Sequence, residues 1–263
     1  MAARRRALVT GASQRVGRAM ALDLAENGWD VAIHYNGSAE AAEDTASECR
    51  KLGASAVTLQ TDLADSVAVD RLVPQASSGL NGALELLVNN ASTFKNDEIG
   101  SITEESWTAG MDSNLRAPMM LTQAFAAQAP KARIDANGEP VAQSVVINII
   151  DQRVWKPTPY FVSYLVAKSG LLAFTKSAAQ ALSPDIRIAG IGPGPTLRAT
   201  RQSEEHYAQQ RRSCVLGRGS DPADIVGAMN FIISNNAFTG QMLAIDGGQH
   251  LIWQTPDVQG MVE

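Results

Sequence analysis

The chain has 263 residues, a net charge of −5 and a pI near 5.3. This length is enough for one large domain with a well-buried core, and the acidic balance disfavours a nucleic-acid surface. No apolar run reaches the ~20 residues that span a bilayer, and the N-terminus lacks the apolar core of a signal peptide. Because Cys49 and Cys214 lack CxxC spacing and the histidines are scattered, we expect no metal site and two free thiols in a reducing cytoplasm.

Short apolar runs alternate with longer amphipathic segments along the chain. We predict strands at 7–10, 31–35, 56–60, 84–89, 145–150, 186–191 and 242–245. We predict helices at 16–27, 39–52, 66–77, 104–128, 163–182 and 223–234, with a polar loop at 131–143. Continuous apolar strands between helices indicate a parallel sheet covered on both faces. Right-handed crossovers then give a doubly wound, Rossmann-type α/β fold, and the even composition predicts a single domain over residues 1–263.

The turn after the first predicted strand, from Thr10 to Gly17, reads TGASQRVG. Such a loop directs backbone N–H groups and the positive end of a helix at a pyrophosphate. Gly11 allows the tight turn and Gly17 allows close packing of the helix on the sheet, but Arg15 stands where a further glycine is expected. A glycine-containing loop with a solvated arginine is the alternative. At the first βα turn of an alternating chain, the loop favours a dinucleotide site.

The end of the second predicted strand indicates which dinucleotide binds. An acid there would hydrogen-bond the ribose diol and repel a 2′-phosphate, but the sequence HYNGS at 34–38 has no acid before Glu40. Since Arg15 brings a positive charge to the same end of the sheet, NADP(H) is favoured over NAD(H). Asp62, after the third strand, is predicted to accept from the adenine amino group or to cap the following helix, and the two roles are compatible.

The stretch 151–168 is predicted to carry the chemistry. Tyr164 and Lys168 are four residues apart and lie on one face of a predicted helix. A phenol has a pKa of about 10, and a nearby ammonium lowers it by stabilising the phenolate. Tyr164 would then exchange a proton with a carbonyl, alcohol or imine. Asp151 follows a buried strand, and a helix that doubles back brings it beside Tyr164. A turn residue and a helical pair without chemistry are the alternative.

In its ordered motifs the chain resembles the short-chain dehydrogenase/reductase family across nearly its whole length. The matching motifs are Thr10–Gly17, Asp62-Leu63, Asn89-Asn90-Ala91, Asn114, Tyr164-x-x-x-Lys168, Pro193-Gly194 and Asp246-Gly247-Gly248. The resemblance implies seven parallel strands and hydride transfer at C4 of a nicotinamide, with Tyr164 as proton donor. It also implies that Lys168 binds the nicotinamide ribose and lowers the tyrosine pKa, and that Asn114 holds a water that relays protons to Lys168.

The resemblance also gives the expected cofactor contacts and the expected assembly. The cofactor residues are Gly11, Ser13, Arg15, Val16, Gly17, His34, Tyr35, Asn36, Ser38, Asp62, Leu63, Asn90, Ala91, Ser92, Tyr164, Lys168, Pro193 and Gly194. Of these, Asn90 is expected near the cofactor ribose and the Pro193-Gly194 turn near the nicotinamide. We expect a homotetramer or homodimer that acts on a small molecule and binds neither nucleic acid nor membrane.

Two departures from the general family point to a subgroup. Most members carry serine or threonine where this chain has Asp151, and glycine where it has Arg15. The chain resembles the pteridine reductases and the bacterial dihydromonapterin reductases, which share both substitutions. The sequence NNASTF at 89–94 also resembles theirs. Gly37 departs from the parasite enzymes, where an arginine helps to bind the 2′-phosphate. The resemblance implies that the substrate contacts Arg15, Ser92, Phe94, Asp151 and Tyr164, with loop packing as the alternative for Phe94.

These features favour an NADPH-dependent reductase that acts on a dihydropterin. An ionised aspartate only accepts hydrogen bonds, so Asp151 suits the N–H and amino groups of a pterin, or it passes a proton with Tyr164 and water. A carbonyl or alcohol reductase for another polar substrate is the first alternative. The second is a non-catalytic NADP(H)-binding sensor, against which Asn114, Tyr164 and Lys168 argue. The pocket is also expected to be shaped by Val154, Trp155 and the segment 196–215.

Overall fold

A computed structural model describes residues 4–199 and 202–255. The strands are β1 (Arg5–Val9), β2 (Trp29–Tyr35), β3 (Ala56–Gln60), β4 (Leu86–Asn89), β5 (Arg133–Ile134), β6 (Pro140–Val141), β7 (Ser144–Ile149), β8 (Ile186–Pro193) and β9 (Met242–Ile245). The α-helices are α1 (Arg15–Glu26), α2 (Ala39–Lys51), α3 (Ser66–Gly79), α4 (Glu104–Met111), α5 (Ala117–Gln128), α6 (Val162–Leu182), α7 (Glu204–Arg212) and α8 (Pro222–Ser234). No helix in these ranges is long and apolar enough to cross a membrane.

Seven of the strands form one parallel sheet in the order β3-β2-β1-β4-β7-β8-β9. This arrangement confirms the predicted Rossmann-type α/β fold. The strand order reverses between β1 and β4, and a crevice opens outside the carboxyl ends of the strands at such a point. The short strands β5 and β6 pair antiparallel within the predicted loop.

The helices cover both faces of the sheet because the central strands are apolar on both faces. Alternate residues of β1 enter different layers: Val9 packs with α1, α2 and α8, while Leu8 packs with α3, α5 and α6. The largest buried side chains include Met20 on α1 and Phe125 on α5. Burying a side chain of this size stabilises the fold by about 1.5–3 kcal/mol. The two layers make the sheet a rigid base for the loops at its carboxyl edge.

A buried polar ladder joins the middle of the sheet to α6. Asn89 and Asn148 are register partners on β4 and β7, and Asn89 Nδ2 donates to Asn148 Oδ1 over 2.8 Å. Asn148 Nδ2 donates in turn to Thr175 Oγ1 on α6 over 2.9 Å. Asn148 and Thr175 are both fully buried, so breaking the ladder would leave polar groups without partners. The ladder holds α6 at a defined position on the carboxyl half of the sheet.

Two elements differ from the sequence-based expectations. The helix predicted over 104–128 is interrupted by a π-helical turn at Asp112–Arg116. The apolar pattern continues through the turn, so periodicity alone does not show it. Helix α7 lies in the segment 196–215, for which no helix was predicted. It has no buried residue and therefore no apolar stripe.

The basic N-terminal cluster Arg4-Arg5-Arg6 is tied to the ends of two helices. Arg5 and Arg6 belong to β1 and are partly buried. Arg6 Nε donates to the carbonyl of Leu80 after α3 over 2.9 Å, and Arg4 Nη2 donates to that of Ala25 near the end of α1 over 2.6 Å. Helix C-termini leave carbonyls without intrahelical partners, and these guanidinium groups satisfy them.

Candidate active site

The loop after β1 depends on two glycines. Gly11 has a φ of +63°, and a Cβ on it would lie 2.9 Å from Ala91 Cα. A Cβ on Gly17 would overlap the carbonyl oxygen of Gly11 and lie 2.6 Å from Asn90 Nδ2. Larger residues would therefore push the loop away from β4. With glycines in place, the backbone and the start of α1 form the floor of a groove.

The side chains of His34 and Asn90 fix the backbone of this loop by hydrogen bonds. His34 Nδ1 accepts from the Gly11 N–H over 3.0 Å, and its Nε2 lies 2.9 Å from the carbonyl oxygen of Thr61. Since that oxygen only accepts, Nε2 carries the proton, and burial lowers the pKa of the imidazole. Asn90 Nδ2 donates to the carbonyls of Thr10 and Gly11 over 2.8 and 3.1 Å. The ring of His34 thus positions the loop at the edge of the groove, and the predicted contact of His34 with the cofactor stays a prediction.

The groove has a volume of about 450 Å³ and runs along the carboxyl ends of the strands. Most of the predicted cofactor residues line it: Gly11, Ser13, Arg15, Val16, Gly17, His34, Tyr35, Asn36, Ser38, Asp62, Leu63, Asn90, Ala91 and Ser92. The other four line the adjoining cavity: Tyr164, Lys168, Pro193 and Gly194. The fold thus brings all of these residues to one edge of the sheet.

Asp62 does not cap the helix that follows it. Its Oδ1 accepts from the Ala64 N–H over 2.9 Å within the turn. Asp65 caps α3 instead, because its Oδ1 accepts from the N–H groups of Val67 and Ala68. The predicted capping role is wrong, since Asp62 lies too far before the first turn of α3. Its position on the wall of the groove is compatible with the predicted adenine contact.

The adjoining cavity contains a hydrogen-bonded carboxylate and phenol. Tyr164 Oη donates to Asp151 Oδ2 over 2.8 Å. Asp151 Oδ1 accepts from the Arg153 N–H over 2.8 Å, which starts the 3₁₀ turn Gln152–Val154. The strand β7 and the returning helix α6 therefore bring the two side chains together as the sequence predicted.

The electrostatics of this pair differ from the expectation. Burial and the adjacent Asp151 raise the pKa of Tyr164 well above its usual value. Burial also raises the pKa of Asp151. Lys168 Nζ donates to the carbonyl of Ile149 over 2.7 Å, and burial lowers its pKa to about 8. The predicted lowering of the tyrosine pKa by Lys168 is wrong here because burial disfavours the phenolate and the carboxylate stabilises the protonated phenol.

Asn114 lies in the π-helical turn and is fully buried. Its Oδ1 accepts from Ser92 Oγ over 2.8 Å and from the Thr93 N–H over 3.0 Å, while its Nδ2 donates to the Thr93 carbonyl over 2.8 Å. Single π-helical turns are frequent at functional sites. Asn114 therefore ties the segment after β4 to the helix layer, and a water held by Asn114 stays a prediction.

The cavity has a volume of about 310 Å³, and all five predicted substrate residues line it: Arg15, Ser92, Phe94, Asp151 and Tyr164. The segment 196–215 was expected to shape the pocket, and it supplies Gln202, Tyr207 and Gln210 to the lining. Sequence reasoning missed Gln152, Arg153 and Gln249; adjacency to Asp151 was a signal for the first two, whereas Gln249 comes from a distant segment. Val154 and Trp155 were expected here, but Val154 packs beneath α6 and Trp155 contacts the His250 ring at 5.1 Å.

Phe94 packs against two other rings at the cavity wall. It stacks on Phe161 with centroids 4.3 Å apart and planes 13° apart, and it meets Tyr164 edge-on at 4.6 Å. Phe161 adopts a left-handed φ of +59° immediately before α6. Such backbone strain clusters at functional sites. Phe94 therefore takes part in loop packing and also lines the cavity, so the two sequence-based alternatives are compatible.

Arg15 connects the groove to the cavity. Its φ of +58° is left-handed, a conformation that favours glycine. Its guanidinium donates to the carbonyls of Arg198 and Leu197 over 3.0 and 3.1 Å. In this conformation the side chain bridges the loop after β1 and the segment after β8. Arg15 and Val16 line both the groove and the cavity.

Known proteins resemble the chain over nearly its whole length. The family model described as short chain dehydrogenase matches residues 5–210. The 3-oxoacyl-[acyl-carrier-protein] reductase FabG of Staphylococcus aureus is 31% identical over 250 residues, covering 93% of this chain and 98% of that protein. Among solved structures, FolM alternative dihydrofolate reductase 1 from Brucella canis, complexed with NADP, is 39% identical, covers 98% of both chains and has a TM-score of 0.90. The angucycline C-6 ketoreductase LanV with bound NADP is 28% identical, covers 94% of this chain and 96% of its own, and has a TM-score of 0.84.

Proposed function

Because this chain belongs to the short-chain dehydrogenase family, we propose that it is an NADPH-dependent reductase of a dihydropterin. The observation that carries the substrate proposal is the partly buried 2.8 Å hydrogen bond from Tyr164 to Asp151. A hydroxyl residue at position 151 would donate to a carbonyl oxygen, whereas a carboxylate accepts from N–H groups. A dihydropterin presents such N–H and amino groups beside the ring nitrogen that gains a proton.

The groove fits a dinucleotide with a 2′-phosphate. A Cβ on Gly11 or Gly17 would fill the space that the loop keeps open. The groove extends to residues 34–38, where no acid lines it, and the side chain of Ser38 makes no hydrogen bond to the start of α2. A hydroxyl beside a helix N-terminus suits a phosphate group. The Brucella canis and LanV structures hold NADP, which supports the same cofactor here.

Each side chain at the junction of groove and cavity has a distinct part in the proposed reaction. When bound, the cofactor supplies a hydride from C4 of its nicotinamide. On substrate binding, Tyr164 Oη would turn its single proton from Asp151 Oδ2 to the substrate nitrogen, and the carboxylate would then accept from the N–H groups of the substrate. Lys168 is held by the Ile149 carbonyl and presents its remaining N–H donors to the ribose. With a pKa of about 8, it exchanges protons near neutral pH and so restores the proton on Tyr164.

A carbonyl reductase is the second candidate function. The FabG relative is named as a 3-oxoacyl reductase and LanV as a ketoreductase, which favours reduction of a ketone. Asp151 argues against it, because an ionised carboxylate repels the oxyanion that develops when a carbonyl is reduced. A non-catalytic NADP(H) sensor is the third, and any product formed under saturating cofactor excludes it.

The test of the proposed function is NADPH oxidation by the wild type and by Asp151→Ser with dihydrobiopterin, dihydromonapterin, dihydrofolate and a simple diketone. A hydrogen bond to a charged group contributes about 1.5–3 kcal/mol, so Asp151→Ser should lower pterin kcat/KM by roughly 10- to 150-fold. Activity on the diketone should persist or rise. Phe94→Leu is the control, since an aromatic contact contributes only about 0.5–1.5 kcal/mol beyond burial.

Three outcomes separate the candidates. If the wild type reduces the diketone well and none of the pterins, the carbonyl-reductase candidate replaces the pterin proposal. If Asp151→Ser leaves pterin reduction unchanged, the carboxylate is not the recognising group. Repeating the assay with NADH should give a lower kcat/KM, and equal values would contradict the choice of cofactor.

Assembly and location stay predictions. We propose a homotetramer, with a homodimer as the alternative, in the reducing cytoplasm that suits two free thiols. Cys49 and Cys214 are unpaired and buried.

A further inference from the structure

The substrate cavity carries more positive charge than the proposed reaction uses. Among the described residues that line it, Asp151 is the one acid, while Arg15, Arg153 and Lys168 are cations. Lys168 donates to the Ile149 carbonyl in the interior, and Arg15 is engaged by two carbonyls of the segment after β8. Arg153 is the cation that these roles do not explain.

The guanidinium of Arg153 is held in place without a direct ion pair, although its charge interacts with the Asp151 carboxylate in the same cavity. It lies over the Phe161 ring at 5.1 Å and the Phe94 ring at 5.8 Å, and Nη1 donates to Thr158 Oγ1 over 3.1 Å. A guanidinium has five N–H donors. Within residues 4–199 and 202–255, Thr158 is the one hydrogen-bond acceptor found for this group, and no acid forms an ion pair with it. Most of its donors therefore have no protein acceptor there.

Several other arginines among the described residues form ion pairs with acids, whereas Arg6, Arg187 and Arg198 donate to backbone carbonyls. The ion pairs include Arg4–Asp30, Arg18–Glu48, Arg50–Glu43, Arg116–Asp112 and Arg211–Asp221. Within the described part of the chain, Arg153 has no such ion pair although it is partly buried in a cavity wall. Charges removed from water require compensation, and a planar guanidinium stacked on aromatic rings is pre-organised for a two-point contact with a carboxylate. The cavity thus offers a carboxylate site that the protein does not fill itself.

We propose that Arg153 binds a carboxylate that the substrate carries outside its reacting ring. This inference rests on the proposed function and narrows its substrate class to pterins with an acidic side chain, of which dihydrofolate is the probe. The ring occupies the Asp151–Tyr164 end of the cavity, and the acidic side chain extends along the Phe94–Phe161 stack to Arg153. Neutral pterins then bind without this contact.

The test is calorimetric titration of folate and of biopterin onto the NADP⁺-loaded protein. The wild type should bind folate more tightly than biopterin. Arg153→Gln should weaken folate binding by roughly 10- to 100-fold, as for the loss of a hydrogen bond to a charged group, and change biopterin binding by less than about twofold. Arg153→Lys should retain part of the affinity for folate because it keeps the charge.

Arg133→Gln is the matched control. It removes the same charge from the exposed strand β5 at the opposite end of the sheet, so both affinities should equal those of the wild type. Raising the ionic strength should weaken folate binding and leave biopterin binding nearly unchanged. Melting temperature and NADPH affinity of each variant show whether the fold and the groove are intact.

Equal weakening of folate and biopterin by Arg153→Gln would overturn the proposal and assign Arg153 to packing against the two rings. So would equal affinity of the wild type and Arg153→Gln for folate. If the wild type binds neither folate nor biopterin, the proposed pterin function fails. The carboxylate site is then tested separately, by titrating acetoacetate and its neutral ethyl ester in place of the two pterins. If Arg153→Gln then weakened the binding of acetoacetate but not that of the ester, the result would support a carboxylate site in a ketone reductase. If it weakened neither or both equally, the proposed carboxylate site would be overturned.

Discussion

Asp151 and Tyr164 share one proton across 2.8 Å, and their surroundings decide where it lies. Burial, together with the adjacent carboxylate, raises the pKa of Tyr164 well above its usual value and so keeps the proton on the phenol. Burial also raises the pKa of Asp151, which makes that carboxylate easier to protonate than a free one. The sequence could predict that the two side chains meet, since a strand, a turn and a returning helix determine it. It could not predict the direction of the tyrosine pKa shift, because burial and the choice of acceptor depend on the folded structure.

Replacing Tyr164 by phenylalanine should remove the proton donor and little else. General acid catalysis contributes about 10²–10⁴ in rate, so Tyr164→Phe should lower kcat by that factor and leave NADPH affinity within about twofold. Stopped-flow single turnovers and fluorescence titration measure the two quantities. Tyr160→Phe is the control because Tyr160 is 53% exposed outside the cavity. A Tyr164→Phe variant with wild-type kcat would exclude the phenol as the acid.

The strands of the sheet could be predicted from the sequence because each is a short, largely apolar run. Strands such as β7 are buried along their whole length, and turn signals separate them from helices. Helix α7 and the π-helical turn gave no such signal, and α7 supplies Tyr207 and Gln210 to the cavity. These residues come from a surface element whose placement depends on tertiary contacts such as the hydrogen bond from Tyr207 Oη to the Thr196 carbonyl. A single sequence does not show such contacts.

The loop between β1 and α1 should tolerate no side chain at Gly17. The Cβ of Gly17→Ala would overlap the Gly11 carbonyl oxygen, so the loop must shift and the groove must change shape. We expect the KM for NADPH to rise at least tenfold, measured by initial rates. Gly227→Ala on α8 is the matched control, because no atom lies within 4 Å of its Cβ position. It should leave KM unchanged and stabilise the helix by up to about 1 kcal/mol; an unchanged KM in Gly17→Ala would contradict the tight packing.

At the scale of the whole molecule, His34 links stability to pH. Its folded pKa is lowered by burial, while the unfolded value is about 6.5. Below about pH 6.5 the unfolded chain therefore binds a proton that the folded protein excludes, and the free energy of unfolding falls as pH falls. The contribution is at most about 1.4 kcal/mol per pH unit. The neutral imidazole is needed because Nδ1 accepts from the Gly11 N–H.

Urea unfolding at pH 5.5, 6.5 and 7.5 should show this dependence in the wild type and a smaller one in His34→Asn. The relevant quantity is the difference in pH dependence between the wild type and His34→Asn, because Asp151 in both proteins makes the free energy of unfolding rise as pH falls. Its raised folded pKa makes the folded state bind protons more readily as pH falls. His206→Asn, at an exposed histidine, should keep the wild-type dependence. If His34→Asn kept it too, another group would have to explain the loss of stability.

The groove and the cavity share a wall made of Arg15, Val16 and Ser92. A dinucleotide in the groove would form one side of the cavity, so the substrate would meet its complete binding surface only after the cofactor had bound. The architecture then imposes an order of addition, with the cofactor first to arrive and last to leave. An enzyme built this way responds to the redox state of the cellular nicotinamide pool before it responds to the supply of its own substrate.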